Sequence, residues 1–223
     1  MFFTHGPMKS AFLLLLLAAA TPKLPLIDVP ATRGTSDTLV VLVSGDGGWA
    51  NIDREIAKVL ADNGMPVAGL NALQYFWTKR TPESASRDLQ SIIDRYSTAW
   101  HKSRVILAGY SRGADVLPFM ISRLPAETQA KIRGVVLLSP SPQVEFEFHI
   151  ADWMRNASAG LAVKPEVDKL TPPILCIYGE DDHDSLCPAL KGNPRVDAVM
   201  LKGAHHFDGG YERLGHLIVE RLK

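Results

Sequence analysis

Six short apolar runs, each closed by a turn signal, alternate with amphipathic helical stretches. That alternation restricts the fold more than any other feature of the chain. The runs are "TLVVLV", "MPVAGL", "RVILAG", "RGVVLLSPS", "PPILCIYG" and "DAVMLKG". Leu39 to Val43 is almost continuously apolar and β-branched and leads into glycines, the pattern of a strand buried on both faces. Between the runs, "NIDREIAKVLADNG" sets Ile52, Ile56, Val59 and Leu60 on one helical face and stops at Gly64. A second helix is capped by Thr81 with Pro82 in its first position, and turns Ala85, Leu89, Ile92, Ile93, Tyr96 and Trp100 inward. A largely apolar helix follows Arg112, and "YERLGHLIVERLK" closes the chain with Leu214, Leu217, Ile218 and Leu222 inward. Strands alternating with helices demand right-handed crossovers, so the expected fold is α/β: a mostly parallel sheet with helices on both faces. Only "PQVEFEFHIADW" departs from the pattern. Its Val144, Phe146, Phe148 and Ile150 alternate with polar residues, which predicts an extended excursion over the strand ends.

The 223 residues show no repeat, low-complexity stretch or interdomain linker, so one domain is expected over residues 38–223, after a Pro-rich leader at 21–37. Residues 1–20 read as an export signal: Lys9, an apolar run from Ala11 to Leu17, then Ala18, Ala19 and Ala20. The run is too short to span a bilayer, which takes about 20 apolar residues. Export from the cytosol follows, with an uncleaved membrane anchor as the alternative. The 24 basic and 24 acidic side chains cancel, which removes the electrostatic footprint expected of a nucleic-acid-binding protein. Two cysteines, Cys176 and Cys187, bracket a short loop; they read either as a disulfide in an oxidising compartment or as one buried and one exposed thiol.

The chemistry-bearing motif is Gly109-Tyr110-Ser111-Arg112-Gly113. It follows a strand and opens a helix, the setting of a strained turn that presents a serine nucleophile. A serine needs a base, and the base an orienting acid. His205 and His206 in "GAHHFDGG" follow the last strand run, and Glu180, Asp181 and Asp182 in "YGEDDHD" follow the one before. In a parallel sheet both loops emerge on the same edge as Ser111. The order Ser111, Asp182, His206 is that of α/β-hydrolases, with His205 as the other candidate base. Oxyanion donors are expected from the N–H of Arg112 and from "SGDGGW", through Asp46 or Gly47, each typically worth about 3–4 kcal/mol. The loop departs from G-x-G-x-x-G, which argues against a dinucleotide. No cofactor or metal is called for, although Asp181, Asp182, His183, His205 and His206 include ligand types without a recognised zinc spacing.

Taken together, "SGDGGW", "LNALQYFWTKRTPE", "LAGYSRGADVLPF", "LLSPS", "IYGEDDHDSLCP" and "GAHHFDGGY" resemble the AcvB/VirJ family of exported bacterial proteins from about Thr38 to the C-terminus. The resemblance implies an α/β-hydrolase fold, an association with virulence and type IV secretion, and hydrolysis of lysyl-phosphatidylglycerol at the periplasmic face of the inner membrane. For such an aminoacylated phospholipid, Lys79 and Arg80 are candidates for the lipid phosphate. Tyr75, Phe76 and Trp77 are candidates for the acyl–glycerol region, Trp49 for substrate binding, and Asp46 or Asp208 for the lysyl ammonium groups. Two other readings stand beside this one: a general periplasmic esterase, lipase or thioesterase, and a non-catalytic module that binds secretion substrates or components.

Overall fold

The computed structural model describes residues 23–147 and 160–222. The export signal read at 1–20, and Phe148 and Ile150 of the excursion, lie outside the described residues.

Seven strands form the main sheet: β1 (Leu26–Val29), β2 (Thr38–Val43), β3 (Val67–Leu70), β4 (Arg104–Tyr110), β5 (Ile132–Leu138), β8 (Ile174–Gly179) and β9 (Val196–Leu201). Their spatial order is β1-β3-β2-β4-β5-β8-β9, and every pairing is parallel except that of β1 with β3. β1 belongs to the segment read as a leader. Leu26, Ile27, Asp28 and Val29 pair with the outer edge of β3, so the leader supplies an edge strand.

The two faces of β2 decide how the helices distribute. Leu39, Val41 and Val43 pack toward α3 (Pro82–Ala99) and α4 (Arg112–Ile121). Val40 and Leu42 pack toward α1 (Asn51–Asp62) and α8 (Tyr211–Leu222). All six β2 residues are buried, and each such apolar side chain contributes about 1.5–3 kcal/mol. The local signals act as expected. Thr81 Oγ1 accepts from the Ser84 N–H at 3.2 Å with Pro82 in the first turn, and Gly64 takes a positive φ of 83° just past α1. The shorter elements are α2 (Ala72–Tyr75), α5 (Ala126–Gln129), α6 (Lys164–Val167) and α7 (Cys187–Leu190). The excursion forms a two-stranded ribbon, β6 (Gln143–Val144) with β7 (Leu161–Ala162), and buries Val144 and Phe146. Cys176 of β8 and Cys187 at the start of α7 are joined by a disulfide, which closes the turn that follows β8. Among the described residues no helix is long and apolar enough to cross a membrane.

One core carboxyl is under electrostatic stress. Asp53, 1% exposed, accepts the Ala50 N–H through Oδ2 at 2.9 Å, while its Oδ1 is buried without a partner. Burial pushes the carboxyl up from 3.8 to about 6. Between those two values the folded chain retains a proton that the unfolded chain has released, so stability falls as pH rises through that window. The penalty above it is about 3 kcal/mol. Asp53→Asn is therefore expected to become more stable relative to wild type, by up to about 3 kcal/mol, between about pH 4 and pH 7.5. Denaturant unfolding at the two pH values reads this directly, and an identical difference at both would show that the carboxyl titrates normally.

Candidate active site

Ser111 occupies the turn between β4 and α4 with φ 52° and ψ −122°, a backbone conformation that costs a non-glycine residue about 1–3 kcal/mol. Its N–H is held by the Leu138 carbonyl of the neighbouring β5 at 2.9 Å. The flanking glycines permit the turn for steric reasons. A Cβ on Gly109 would stand 2.4 Å from the Gly113 backbone, and one on Gly113 would stand 2.1 Å from the Val43 carbonyl oxygen. The first turn of α4 thus rests directly on the ends of β2 and β4, with the serine pushed out above it.

The turn after β8 brings the acid. Asp181 donates its N–H to the Gly203 carbonyl at 3.1 Å, and the Glu180 N–H reaches Leu201 at 2.8 Å, so this turn and the loop after β9 are sewn together. A Cβ on Gly179 would meet the Gly203 carbonyl oxygen at 2.2 Å, which shows how closely the two loops lie. Glu180 and Asp181 are exposed, whereas the Asp182 side chain is only 7% exposed and faces inward. Its Oδ2 lies 3.2 Å from Nδ1 of His205, and Nε2 of His205 lies 3.0 Å from Ser111 Oγ. With Nδ1–H donating to Asp182, Nε2 is left to accept the serine hydroxyl.

Of the two candidate bases, the structure sets His205 and not His206 against the serine. The two adjacent imidazoles lie at 85° to each other, and only that of His205 faces Ser111 and Asp182. His206 is exposed, and its Nδ1 pairs instead with the Tyr110 hydroxyl at 2.6 Å. The residues beyond, Phe207 and Asp208, both take positive φ and turn the chain away. Tyr110 also donates toward the His205 carbonyl at 3.4 Å, which ties the His205 backbone to the strand that leads into Ser111. Burial raises the Tyr110 phenol above its ordinary range, so it remains a hydrogen-bond donor.

The loop after β2 lies against the serine. A Cβ on Gly45 would come within 3.3 Å of the Ser111 Cβ. A tight turn from Gly45 to Gly48, closed by a 3.0 Å backbone hydrogen bond, presents Asp46. The Asp46 carboxylate is ion-paired with Arg112 Nε, and Arg112 Nη1 donates to the Glu145 carbonyl at 2.7 Å. Arg112 thereby links the expected oxyanion loop to the excursion.

Two cavities meet at Ser111. One, about 290 Å³, includes Asp46, Arg112, Asp115, Gln143 and Glu145 in its lining. The other, about 300 Å³, includes Ser139, Asp182, Asp184, Ser185 and His205. Several residues expected to bind substrate lie elsewhere. Trp49 packs against β3, where a Cβ on Gly69 would meet its ring at 2.5 Å. Tyr75 and Phe76 are wholly buried; the Tyr75 hydroxyl donates to Asp88 at 2.6 Å, so its role is packing. Arg80 stacks over the Tyr75 ring at 4.5 Å and lines a separate cavity of about 400 Å³ with Lys23, Asp88 and Arg95. Lys79 pairs with Glu147 at 3.5 Å, and Trp77, 61% exposed, lies two residues before it, beside the excursion. Asp208 packs against Gly203 and lines neither cavity at Ser111. Asp115 and Ser141, which do line the first cavity, carry no motif in the sequence; helical spacing, four residues past Ser111, points to Asp115 alone. Among the described residues no three His, Cys, Asp or Glu side chains converge as a metal-ligand set.

Comparison with solved structures identifies the same architecture. The chain superimposes on Est1E from Butyrivibrio proteoclasticus with a TM-score of 0.64 at 16% identity, covering 87% of this chain and 90% of that one. An alpha-beta serine hydrolase homologue from Coxiella burnetii gives a TM-score of 0.63 at 17% identity, covering 89% and 91%. MenH from S. aureus gives 0.62 at 14% identity, covering 87% and 96%. At these identities the likeness establishes the α/β-hydrolase fold. The sequence pattern of the bacterial virulence protein family VirJ matches residues 37–223, nearly the whole of the described chain, and the protein belongs to that family.

Proposed function

We propose that this chain is a periplasmic serine hydrolase that cleaves the aminoacyl ester of lysyl-phosphatidylglycerol. The observation that carries the reading is the continuous contact Ser111–His205–Asp182 at a positive-φ turn, beside a cavity sized for an amino acid. His205 takes the Ser111 proton as Oγ attacks the ester carbonyl carbon. The N–H groups of Asp46 and Arg112 receive the oxyanion, and His205 returns the proton to the departing glycerol oxygen. A water, deprotonated by His205, then releases lysine and restores the serine.

Cavity size favours this substrate over a long-chain acyl ester. At about 290 Å³ the cavity is at the lower end of ligand sites, which run to about 1,000 Å³, and suits a lysyl group better than a fatty chain. Trp77 and Lys79 beside the excursion suit a membrane surface, where an aromatic ring and a cation meet headgroups. The Cys176–Cys187 disulfide supports a location outside the reducing cytosol. Lysine release from vesicles containing lysyl-phosphatidylglycerol tests the proposal: wild type is expected to release lysine and Ser111→Ala to release none above background. If wild type cleaves short esters but not the lipid, the general esterase reading replaces it. If wild type binds the vesicles or a secretion protein while cleaving nothing, the chain is a binding module.

A further inference from the structure

The two cavities that meet at Ser111 differ in what borders them, and the difference assigns the two halves of the substrate. His205 borders only the cavity that also contains Asp182, Asp184 and Ser185. Asp46 and Arg112, the expected oxyanion donors, border only the other. A general acid must stand beside the leaving oxygen, so the alcohol half belongs on the His205 side. The acyl half is then left with the cavity of Asp46, Arg112, Asp115 and Glu145.

That cavity carries three acidic residues and one cation, and the cation is already engaged. The Arg112 guanidinium is ion-paired with Asp46 and donates to the Glu145 carbonyl. Asp115 is different in kind. It is 5% exposed, lies one helical turn beyond the nucleophile, and still reaches the cavity surface. Its Oδ1 accepts the Ser141 N–H at 2.5 Å, and it has no ion-pair partner among the described residues. The Arg112 guanidinium favours this carboxyl's charge only at a distance and is shared with Asp46, whose own charge opposes it, so ionisation here stays costly unless something that visits the cavity brings a further positive charge.

We propose that Asp115 is the specificity-determining residue of this site, holding an ammonium group on the acyl half of the ester substrate. This rests on the reading of Ser111 as an acyl-accepting nucleophile, and deepens it by naming which acyl groups are preferred. Burial holds the empty-site carboxyl well above the usual range, and an arriving ammonium supplies the charge that favours its ionised form. The bond to Ser141 fixes the acceptor and leaves the selection to charge and not to shape. A neutral acyl group of the same length would enter the same cavity without that partner.

Four p-nitrophenyl esters with one leaving group test this: lysyl, norleucyl, 6-aminohexanoyl and hexanoyl. They carry, in turn, both ammonium groups, the α-ammonium alone, the terminal ammonium alone, and none. Wild type is expected to favour at least one ammonium-bearing ester over hexanoyl by about tenfold or more in kcat/KM. In Asp115→Asn, which keeps an acceptor for the Ser141 N–H, that ratio is expected to fall toward one. Loss of the ratio while hexanoyl turnover continues supports the assignment. An equal fall on all four esters would overturn it, because a displaced Ser141 loop acts on every substrate alike. An unchanged ratio would overturn it as well. Hexanoyl turnover reports the serine chemistry independently of Asp115, and vesicle hydrolysis reports the lipid. A wild type that shows the ammonium preference but spares the vesicles thus retains this inference and loses only lysyl-phosphatidylglycerol as substrate.

Discussion

Replacing His205 with alanine is expected to lower ester turnover by about 10⁴-fold or more, whereas His206→Ala stays within about tenfold of wild type. The asymmetry follows from geometry. His205 bridges Ser111 Oγ and Asp182 Oδ2, and no other described histidine contacts either atom. Without it the serine hydroxyl has no base and the leaving oxygen no acid. His206 is exposed, hydrogen-bonds the Tyr110 hydroxyl and meets His205 only ring against ring, so its removal leaves a phenol to find water. Steady-state kcat/KM on a short neutral ester reads both variants, with circular dichroism to show that each has folded. If His206→Ala is the inactive one, the relay of contacts described for this loop is not the catalytic one.

Gly113→Ala is expected to combine a large loss of stability with loss of activity. The added methyl would stand 2.1 Å from the Val43 carbonyl oxygen and 2.7 Å from that of Ser44. Both are backbone atoms at the end of a strand buried on each face, so neither can swing aside as a side chain would. Overpacking of a core usually costs about 1–3 kcal/mol, and here the upper end or beyond is expected. Relief requires α4 to lift from β2, which moves Ser111 away from His205. Displacements of about 1 Å at a reacting centre cost about 10²-fold in rate. Denaturant unfolding and ester turnover measured on the same preparation check both parts. A variant with native stability and native turnover would mean the helix has room that the backbone distances deny.

The sheet was legible because its signal is local and repeated. "TLVVLV" has nothing polar beyond its first residue to place at a surface, and its burial on both faces forces helices to both sides. Thr81 with Pro82, and Gly64, mark helix ends by mechanisms confined to a few residues. The nearness of Ser111 and Asp182 was legible because strand ends in a parallel sheet share an edge. Which histidine meets them was not, because two adjacent histidines have identical neighbourhoods in sequence. Which of them faces the serine depends on how the loop from Gly203 to Gly210 folds against Gly179. The aromatic segment misled for a related reason. Tyr75 and Phe76 belong to the core, and only Trp77 emerges, a distinction set by the one-turn helix α2. Asp115 showed only its spacing, four residues past Ser111, and a carboxyl in an apolar helix gains meaning when a cavity is found beside it.

The strand β1 bears on where the folding unit begins. The family pattern starts at residue 37, and all the candidate site residues lie after it. The chain from 37 onward would nevertheless present β3 with an open edge, its backbone groups from Val67 to Leu70 released from Leu26–Val29. An unpaired, fully buried-type strand at a sheet edge is a template for pairing with another molecule. Catalytic completeness and colloidal behaviour therefore have different boundaries in this protein. A shortened chain would be expected to keep every reacting group while associating through β3, and loss of turnover in such a chain would say nothing about the chemistry at Ser111.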